Sequence, residues 1–397
     1  MSTGDPALVE LIRCEISNHG PVSFAWFMEQ VLYHPEHGYY SSDRATIGRR
    51  GDYFTNVSVG PVFGELLAAQ FAEIWERIGK IDNFLIVEQG AHHGEFARDV
   101  LESLQQRFPE LFSALRYQIV EPFSALQDRQ AQMLQQFRDR VDWQGSLEEI
   151  EPFFGVHFSN ELLDSMPVHL LVSTGAGWQE KCVSLDGDEF AFVRQPIAEP
   201  KLKELAANAP RLPPGHEIEV SLAALDWTEK VAAKLQRGFV LVVDYGFSRD
   251  DFYDPQLKTG TLQARARHRR LASPFDNVGN ADITVHVNWT NLAEHAGQCG
   301  LQVVAFTDQH HFLTGIISEF GRGGSPEPPA NASPARTDLG QSPLPLDSKT
   351  KRELQTLLHP EMLGRTFQVL ALTKDVDPAV SLAGFKFARN LRAALGL

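Results

Sequence analysis

Carboxylates follow three short apolar runs of this 397-residue chain: Glu88 after "FLIV", Glu121 after "QIV" and Asp244 after "VLVV". The carboxyl end of a parallel strand faces the ligand crevice of an open α/β sheet, so each side chain is a candidate for ligand binding. Glu121 lies about thirty residues beyond a glycine turn, where a carboxylate can accept both hydroxyls of a ribose. The alternative for each carboxylate is a helix cap or a solvated side chain. Together the three favour a nucleoside-type ligand.

The glycine turn, "EQGAHHGEF", holds Gly90 and Gly94 and lacks the G-x-G-x-x-G spacing of a dinucleotide site. It separates the apolar run 84–87 from a helical pattern, and glycine there lets the backbone approach a ligand near a helix amino end. Such a turn after an acidic residue suits a ligand without phosphate, whose positively charged methionine part tolerates carboxylates. We therefore predict S-adenosyl-L-methionine as the cofactor, bound by Glu88, Gly90, Gly94 and Glu121.

A site for the methyl acceptor is predicted in "SNELLDSMPV". Glu161 and Asp164 lie three positions apart at the end of a predicted strand, which places both on one side of a turn, with Asn160 beside them. Paired carboxylates bind the planar guanidinium of an arginine in a forked geometry. Methyl transfer needs chiefly a positioned nucleophile and a proton acceptor. We predict Asn160, Glu161 and Asp164 as the catalytic residues; the alternative is that the two carboxylates only cap the following segment.

The elements that position these residues are predicted from periodicity. From residue 83 onward, apolar runs of strand length alternate with helical patterns, which indicates an α/β fold with a mostly parallel sheet and helices on both faces. Four regions are expected: an N-terminal helical and lid region 1–80, the first half of the sheet 81–167, an inserted β/α region over the active site 168–235, and the second half 236–397 with a mobile Pro/Gly-rich loop 322–348.

The amino-terminal region combines a helix with an aromatic loop. Ser23 is the predicted helix cap, and the helix carries one apolar stripe: Phe24, Phe27, Met28, Val31 and Leu32. The loop that follows is rich in Gly, Ser and Asp, and it is expected to act as a lid through its aromatic residues Tyr39, Tyr40, Tyr53 and Phe54.

Charge and composition exclude several classes of protein. With 51 acidic against 36 basic residues, the formal charge of −15 repels a phosphate backbone, so we expect no nucleic-acid partner. The basic run 265–270, "RARHRR", is typical of a solvated face or of a groove for an acidic partner. No apolar run is long enough to span a membrane, and we expect no membrane insertion. Cys14, Cys182 and Cys299 are widely spaced, which fits a reducing, cytoplasmic location.

Histidine pairs raise the possibility of a metal site at 34 and 37, at 92 and 93, and at 310 and 311. Adjacent histidines on a strand point to opposite faces, and no carboxylate or cysteine stands at a familiar ligand interval. We predict no metal site and expect His92 and His93 to line the cofactor turn.

Several long blocks resemble the MidA-like methyltransferases: "PVSFAWFMEQVLYHPEHGYY", "IGRRGDYFTN", "GPVFGELLAAQ", "SNELLDSMPV", "VVDYGF", "GTLQARARHRR", "ADITVHVNW" and "EMLGRTFQVLALTK". The resemblance covers nearly the whole chain. It implies a class I methyltransferase (Rossmann-like) sheet with an antiparallel last strand, S-adenosyl-L-methionine as cofactor, and an arginine nitrogen of a protein as acceptor, with a respiratory-complex subunit as a candidate partner. Three positions depart from the family pattern: Ser58 for a carboxylate, His92 for glycine and Asn288 for aspartate.

Ser146, Leu147 and Ser159 are also expected to contribute to cofactor binding. Two other functions stay open. A closed apolar pocket would favour a small-molecule O- or C-methyltransferase. His92 in the glycine turn would favour a catalytically inactive assembly factor or binding protein on the same fold.

Overall fold

The computed structural model describes residues 4–41, 55–267, 269–320 and 347–397. Tyr53 and Phe54 of the predicted lid lie outside the described residues, as does the predicted mobile loop 322–348 except for its last two residues. Among the helices that the structure describes, none is both long and apolar enough to cross a membrane.

Strands alternate with helices from residue 84 onward, as the periodicity predicts. The first half of the chain contributes β1 (Phe84–Gln89), β2 (Leu115–Val120), β3 (Val141–Gln144) and β4 (Phe153–Asn160). The predicted insertion contributes β5 (His169–Ser173), β6 (Trp178–Asp186), β7 (Glu189–Gln195) and β8 (Glu217–Val220). The remainder contributes β9 (Leu235–Phe247), β10 (Gln263–Ala266), β11 (Arg269–Arg270), β12 (Asp282–Thr284), β13 (Val287–Asn288), β14 (Gln302–Asp308) and β15 (Phe367–Lys374).

The central sheet runs in the order β14, β15, β9, β4, β1, β2, β3, with β13 paired to the end of β9. Strands β3, β2, β1, β4 and β9 are mutually parallel, whereas β15 is antiparallel to both β9 and β14. The predicted mostly parallel sheet with an antiparallel last strand is confirmed. Because the order reverses between β1 and β4, the carboxyl ends of these strands frame the crevice in which open α/β sheets bind ligands.

Helices cover both faces of the sheet. Their bounds are α1 (Pro6–His19), α2 (Phe24–Tyr33), α3 (Val62–Arg77), α4 (Glu95–Arg107), α5 (Pro109–Ala114), α6 (Ser124–Met133) and α7 (Pro200–Asn208). The chain continues with α8 (Leu222–Lys234), α9 (Arg249–Phe252), α10 (Trp289–Gln298), α11 (Gln309–Phe320), α12 (Ser348–Leu358) and α13 (Leu391–Leu395). Alternation along β9 shows the layering, since Leu241 packs with α3, α4 and α11 while Val240 and Val242 pack with α8 and α10.

The amino-terminal helices pack on the inserted sheet, whose order is β7, β6, β5, β8. Ser23 caps α2, because its Oγ accepts the backbone N–H of Trp26 at 3.1 Å. The predicted apolar stripe of α2 is buried in one cluster with residues of the insertion, including Val183 and Phe190. A third, small sheet in the order β11, β10, β12 joins the same cluster through Ile283.

Candidate active site

A cavity of about 670 Å³ opens where β1, β2 and β4 end. Its wall combines the turn after β1, the loop after β2 and the segment after β4 with residues from the amino-terminal region: Tyr33, Tyr40, Thr55, Val57 and Ser58. Residues of the insertion 168–235 line instead a second cavity of about 620 Å³, to which Val168 and Leu225 belong. The amino-terminal region, rather than the insertion, supplies these walls of the first cavity.

The glycine turn after β1 has the predicted strand, turn and helix arrangement. Gly90, His92 and Gly94 have positive φ values of 83°, 48° and 88°. Gly90 lines the cavity, whereas Gly94 lies outside its wall and forms the left-handed cap at which α4 begins. The Gln130 side chain donates to the backbone oxygen of His92 at 2.7 Å and to Glu121 at 3.1 Å. Helix α6 thereby ties the turn after β1 to the loop after β2.

Glu121 lines the cavity and is well placed to accept hydrogen bonds from a ligand. Its Oε1 accepts the backbone N–H of Phe123 at 3.1 Å, and its Oε2 accepts from Gln130 at 3.1 Å. A carboxylate has about four acceptor positions, so about two remain. Burial raises the pKa of Glu121 to about 7. Glu121, which the sequence predicts as a ligand-binding residue, is therefore a buried carboxylate with acceptor positions left for a ligand.

Glu88 stands at the end of β1 and also lines the cavity. The hydroxyl of Tyr117, on the neighbouring strand β2, donates to its Oε2 at 2.7 Å. Burial raises the pKa of Glu88 to about 8. A positively charged ligand would favour the ionised form of this carboxyl.

Asn160 ends β4, Glu161 follows it, and both line the same cavity. The Asn56 amide donates to Asn160 Oδ1 at 3.0 Å, and the Asn160 amide donates to Glu161 Oε1 at 2.9 Å. The backbone N–H of Asn56 also donates to the Glu161 carboxyl. Burial raises the pKa of Glu161 to about 8, and the charge of Asp244 adds to that rise. The amides fix the orientation of a partly exposed carboxyl in the cavity wall.

Asp164 is not among the residues that line the cavity, although it lies close enough to Glu161 for the two charges to interact. Its side chain is 5% exposed. Burial and the charges of Asp244 and Asp282 raise its pKa well above the usual range. Glu161 alone of the predicted pair lines the cavity.

Asp244 lies in β9 just beyond its pairing with β4, three residues before the strand ends, and its carboxylate binds backbone N–H groups instead of facing the ligand crevice. Its Oδ1 accepts the N–H of Tyr245 at 2.8 Å, and its Oδ2 accepts the N–H groups of residues 162, 163 and 164 at 3.2, 2.8 and 3.3 Å. The side chain is fully buried. Asp244 therefore holds the segment that carries Glu161 in place.

Three further residues expected at the cofactor lie outside the cavity wall. Ser146 precedes a short 3₁₀ turn, and Leu147 is buried in the core beneath α8. Ser159 is fully buried within β4, between β1 and β9. The loop after β3 does not reach the cavity, which explains why the first two residues are remote from it.

Tyr33, Asn56 and Asp282 contribute to the site or its support, although sequence reasoning assigned them no role there, and Tyr40 was expected only as part of the lid. The stacked rings of Tyr33 and Tyr40 lie 5.5 Å apart in the cavity wall. The hydroxyl of Tyr33 donates to Ser165 Oγ at 2.9 Å, and that of Tyr40 donates to Asp282 at 2.7 Å. The aromatic content of the predicted lid was a signal for Tyr40, whereas the helical stripe of α2 gave none for Tyr33.

His92, His93 and Glu95 converge, contrary to the expectation that adjacent histidines diverge. Each offers a potential metal-ligand atom, and these atoms lie within 4.8 Å of one another. The reason is that His92 has left-handed backbone in a turn, where the alternation of a strand does not hold. Arg129 lies 3.2 Å from His93 Nε2 and brings a positive charge that opposes a cation there.

Comparison with known proteins decides the class of this chain. A family of S-adenosyl-L-methionine-dependent methyltransferases matches residues 66–307. The chain belongs to this family. Human protein arginine methyltransferase NDUFAF7, mitochondrial, is 26% identical over 408 residues, covering 95% of this chain and 85% of the human protein. The Drosophila melanogaster homologue of that protein is 28% identical over 324 residues, covering 75% and 71%.

A solved structure supports the same assignment. A superfamily member from Burkholderia thailandensis, crystallised with S-adenosyl-homocysteine, has a TM-score of 0.82 at 30% identity and covers 97% of this chain and 96% of its own. The predicted methyltransferase fold, enzyme class and cofactor are confirmed. This methyltransferase uses S-adenosyl-L-methionine.

The cavity residues fit that cofactor. Glu121 offers two acceptor positions to the two hydroxyls of a ribose. Glu88 provides negative charge for a sulfonium, and Gly90 leaves the turn without a side chain at the cavity wall. Glu88, Gly90 and Glu121 are the residues that would hold the cofactor.

Proposed function

We propose that this methyltransferase transfers a methyl group to an arginine side chain of a protein acceptor. The observation that carries the proposal is Glu161, a partly exposed carboxyl in the cavity wall that is oriented by two asparagines. The relatives named protein arginine methyltransferases support it. The predicted cytoplasmic location and the predicted lack of a nucleic-acid partner stay predictions.

The acceptor chemistry follows from the protonation state of the Glu161 carboxyl. S-adenosyl-L-methionine supplies an electrophilic methyl group. A guanidinium beside Glu161 favours the carboxylate form, which binds two N–H groups of the planar acceptor. When a guanidinium nitrogen gains a methyl group it must lose a proton, and Glu161 is placed to accept it. Its pKa is about 8 when the cavity holds no cation, so it is the bound guanidinium, by lowering that pKa, that produces the carboxylate able to accept the proton.

The charge of the cavity wall supports the same assignment. The acidic wall, with Glu88, Glu121 and Glu161, favours a cationic acceptor over the apolar substrate of a small-molecule enzyme.

The test separates acceptor binding from cofactor binding. Cofactor binding is measured by calorimetry, and methyl transfer by mass spectrometry of arginine-containing peptides incubated with labelled S-adenosyl-L-methionine. We expect Glu161→Gln to bind the cofactor within about twofold of the parent and to lose about 10²–10⁴ in turnover. Gly90→Val is the matched control, because a side chain there is expected to block the cofactor.

Three outcomes would contradict the proposal. Equal loss of cofactor binding in both variants would show that Glu161 belongs to the cofactor site. Label on lysine or on small molecules, with none on arginine, would favour the alternative substrates. A folded parent protein that binds no cofactor would favour the inactive binding protein and would indicate that His92 closes the glycine turn to the cofactor.

A further inference from the structure

The hairpin formed by β10 and β11 concentrates positive charge on an acidic protein. Arg265, Arg267, Arg269 and Arg270 are all exposed, within a chain whose formal charge is −15. In the described part of the chain, Arg265, Arg269 and Arg270 form no ion pair, although other exposed cations do. Arg265 donates to the Gln263 side chain, at 2.9 and 3.2 Å, which orients its guanidinium without neutralising its charge.

The arrangement of these arginines does not stabilise the hairpin. Arg265 lies directly opposite Arg270 across the antiparallel pair β10 and β11, and Ala266 lies opposite Arg269. Like charges in directly opposed positions destabilise a strand pair. Asp282 stands opposite Arg265 on the other side, whereas the β11 positions Arg269 and Arg270 pair with Ala266 and Arg265, so a ligand of opposite charge would relieve the repulsion at β11.

The hairpin is joined to the active site through one row of residues. Arg265 pairs with Asp282 on β12 as well as with Arg270 on β11, and directly opposed residues project from the same face of a sheet. Asp282 accepts the hydroxyl of Tyr40, which lines the cofactor cavity. Strands lie about 4.8 Å apart, so the row from Asp282 to Arg270 spans about 10 Å.

We propose that Arg265, Arg269 and Arg270 dock an acidic segment of the acceptor protein next to its target arginine. The inference rests on the proposed arginine acceptor and adds the sequence context that the enzyme selects. An extended peptide advances about 3.3 Å per residue, so the row of about 10 Å corresponds to about three residues. Asp282, at the inner end of the row, is near enough to Glu161 for its charge to act on that carboxyl, so an arginine held at Glu161 places acidic residues about three or more positions away over the hairpin. The net acidic surface disfavours a nucleic-acid ligand at the same hairpin.

The test uses the full-length protein and synthetic peptides. Each peptide carries one arginine and a fluorophore, with Glu about three and four positions from the arginine, or with Gln at the same positions. Binding is measured by fluorescence anisotropy with S-adenosyl-homocysteine present, at low and at physiological ionic strength. The variant Arg269→Gln/Arg270→Gln is compared with Lys351→Gln/Arg352→Gln, which removes the same charge from exposed positions on α12.

We expect the Glu peptide to bind about three- to tenfold more tightly than the Gln peptide, with the difference reduced by salt. The hairpin variant should abolish that preference, and the α12 variant should keep it. Equal binding of the two peptides, or equal effects of the two variants, would overturn the docking inference while arginine methylation stands. Tighter, hairpin-dependent binding of a single-stranded oligonucleotide would also overturn it. Methylation of neither peptide together with normal cofactor binding would instead count against the arginine acceptor.

Discussion

Replacement of Glu121 by alanine tests the cofactor site most directly. The Glu121 carboxylate accepts two hydrogen bonds, from the backbone N–H of Phe123 and from the side-chain amide of Gln130. Glutamine is a poor substitute, because its NH₂ group would face one of these donors in either orientation. Alanine removes the carboxylate without introducing a competing donor.

The expected loss follows from the two acceptor positions that the neighbours leave. A hydrogen bond to a charged group contributes about 1.5–3 kcal/mol, so two ribose hydroxyls lost together predict about 3–6 kcal/mol. That is a loss of about 10²–10⁴ in affinity. Because burial raises the pKa of Glu121 to about 7, affinity in the parent protein should rise from about pH 6 to about pH 8. Glu121→Ala should remove that component of the pH dependence.

Calorimetry with two ligands separates the possible causes. S-adenosyl-L-methionine carries a positive sulfonium, whereas S-adenosyl-homocysteine has a neutral sulfur and the same ribose. If Glu121 binds the ribose, Glu121→Ala weakens both ligands equally; a selective loss of the charged ligand would indicate a purely electrostatic role. A well-folded variant that binds both within about threefold of the parent would refute the reasoning, because two charged hydrogen bonds cannot be lost at so small a cost.

Two further predictions concern stability, measured by urea unfolding. Asp244→Ala leaves four backbone N–H groups without their acceptor and should lower the free energy of unfolding by about 3 kcal/mol or more. The control Asp226→Ala, at an exposed position, should change it by no more than about 0.5 kcal/mol. Similar small losses in both variants would contradict the role of Asp244 in holding the turn. The second concerns pH: burial raises the pKa of Glu88 and Glu161 to about 8 and that of Glu121 to about 7, compared with 4.5 in the unfolded chain. The folded state therefore binds more protons than the unfolded state between these values, and the free energy of unfolding should fall as the pH rises from about 5 to about 8. A free energy of unfolding that is constant or rises over that range would show that these carboxyls are not buried in the ligand-free protein.

Local sequence determined the secondary-structure elements and two cofactor-binding residues, Glu88 and Glu121. The run at 84–87 and the helical spacing after Gly94 are visible in a short window, because side-chain burial repeats with the period of the element. Glu88 and Glu121 were predictable for the same reason, since each directly follows an apolar strand of a parallel sheet. Long blocks of family resemblance supplied the class of enzyme.

Tertiary structure decided how these elements complete the site. Asn56 meets Asn160 across 104 positions of the chain, and Tyr40 meets Asp282 across 242. No local period reports such contacts, because they depend on the strand order and on where the amino-terminal region docks. The same limit applies to Asp164, which was predicted at the right strand end and yet is not among the residues that line the cavity. Periodicity states which residues an element buries, whereas the packing of distant elements decides which polar groups at its end remain for a ligand.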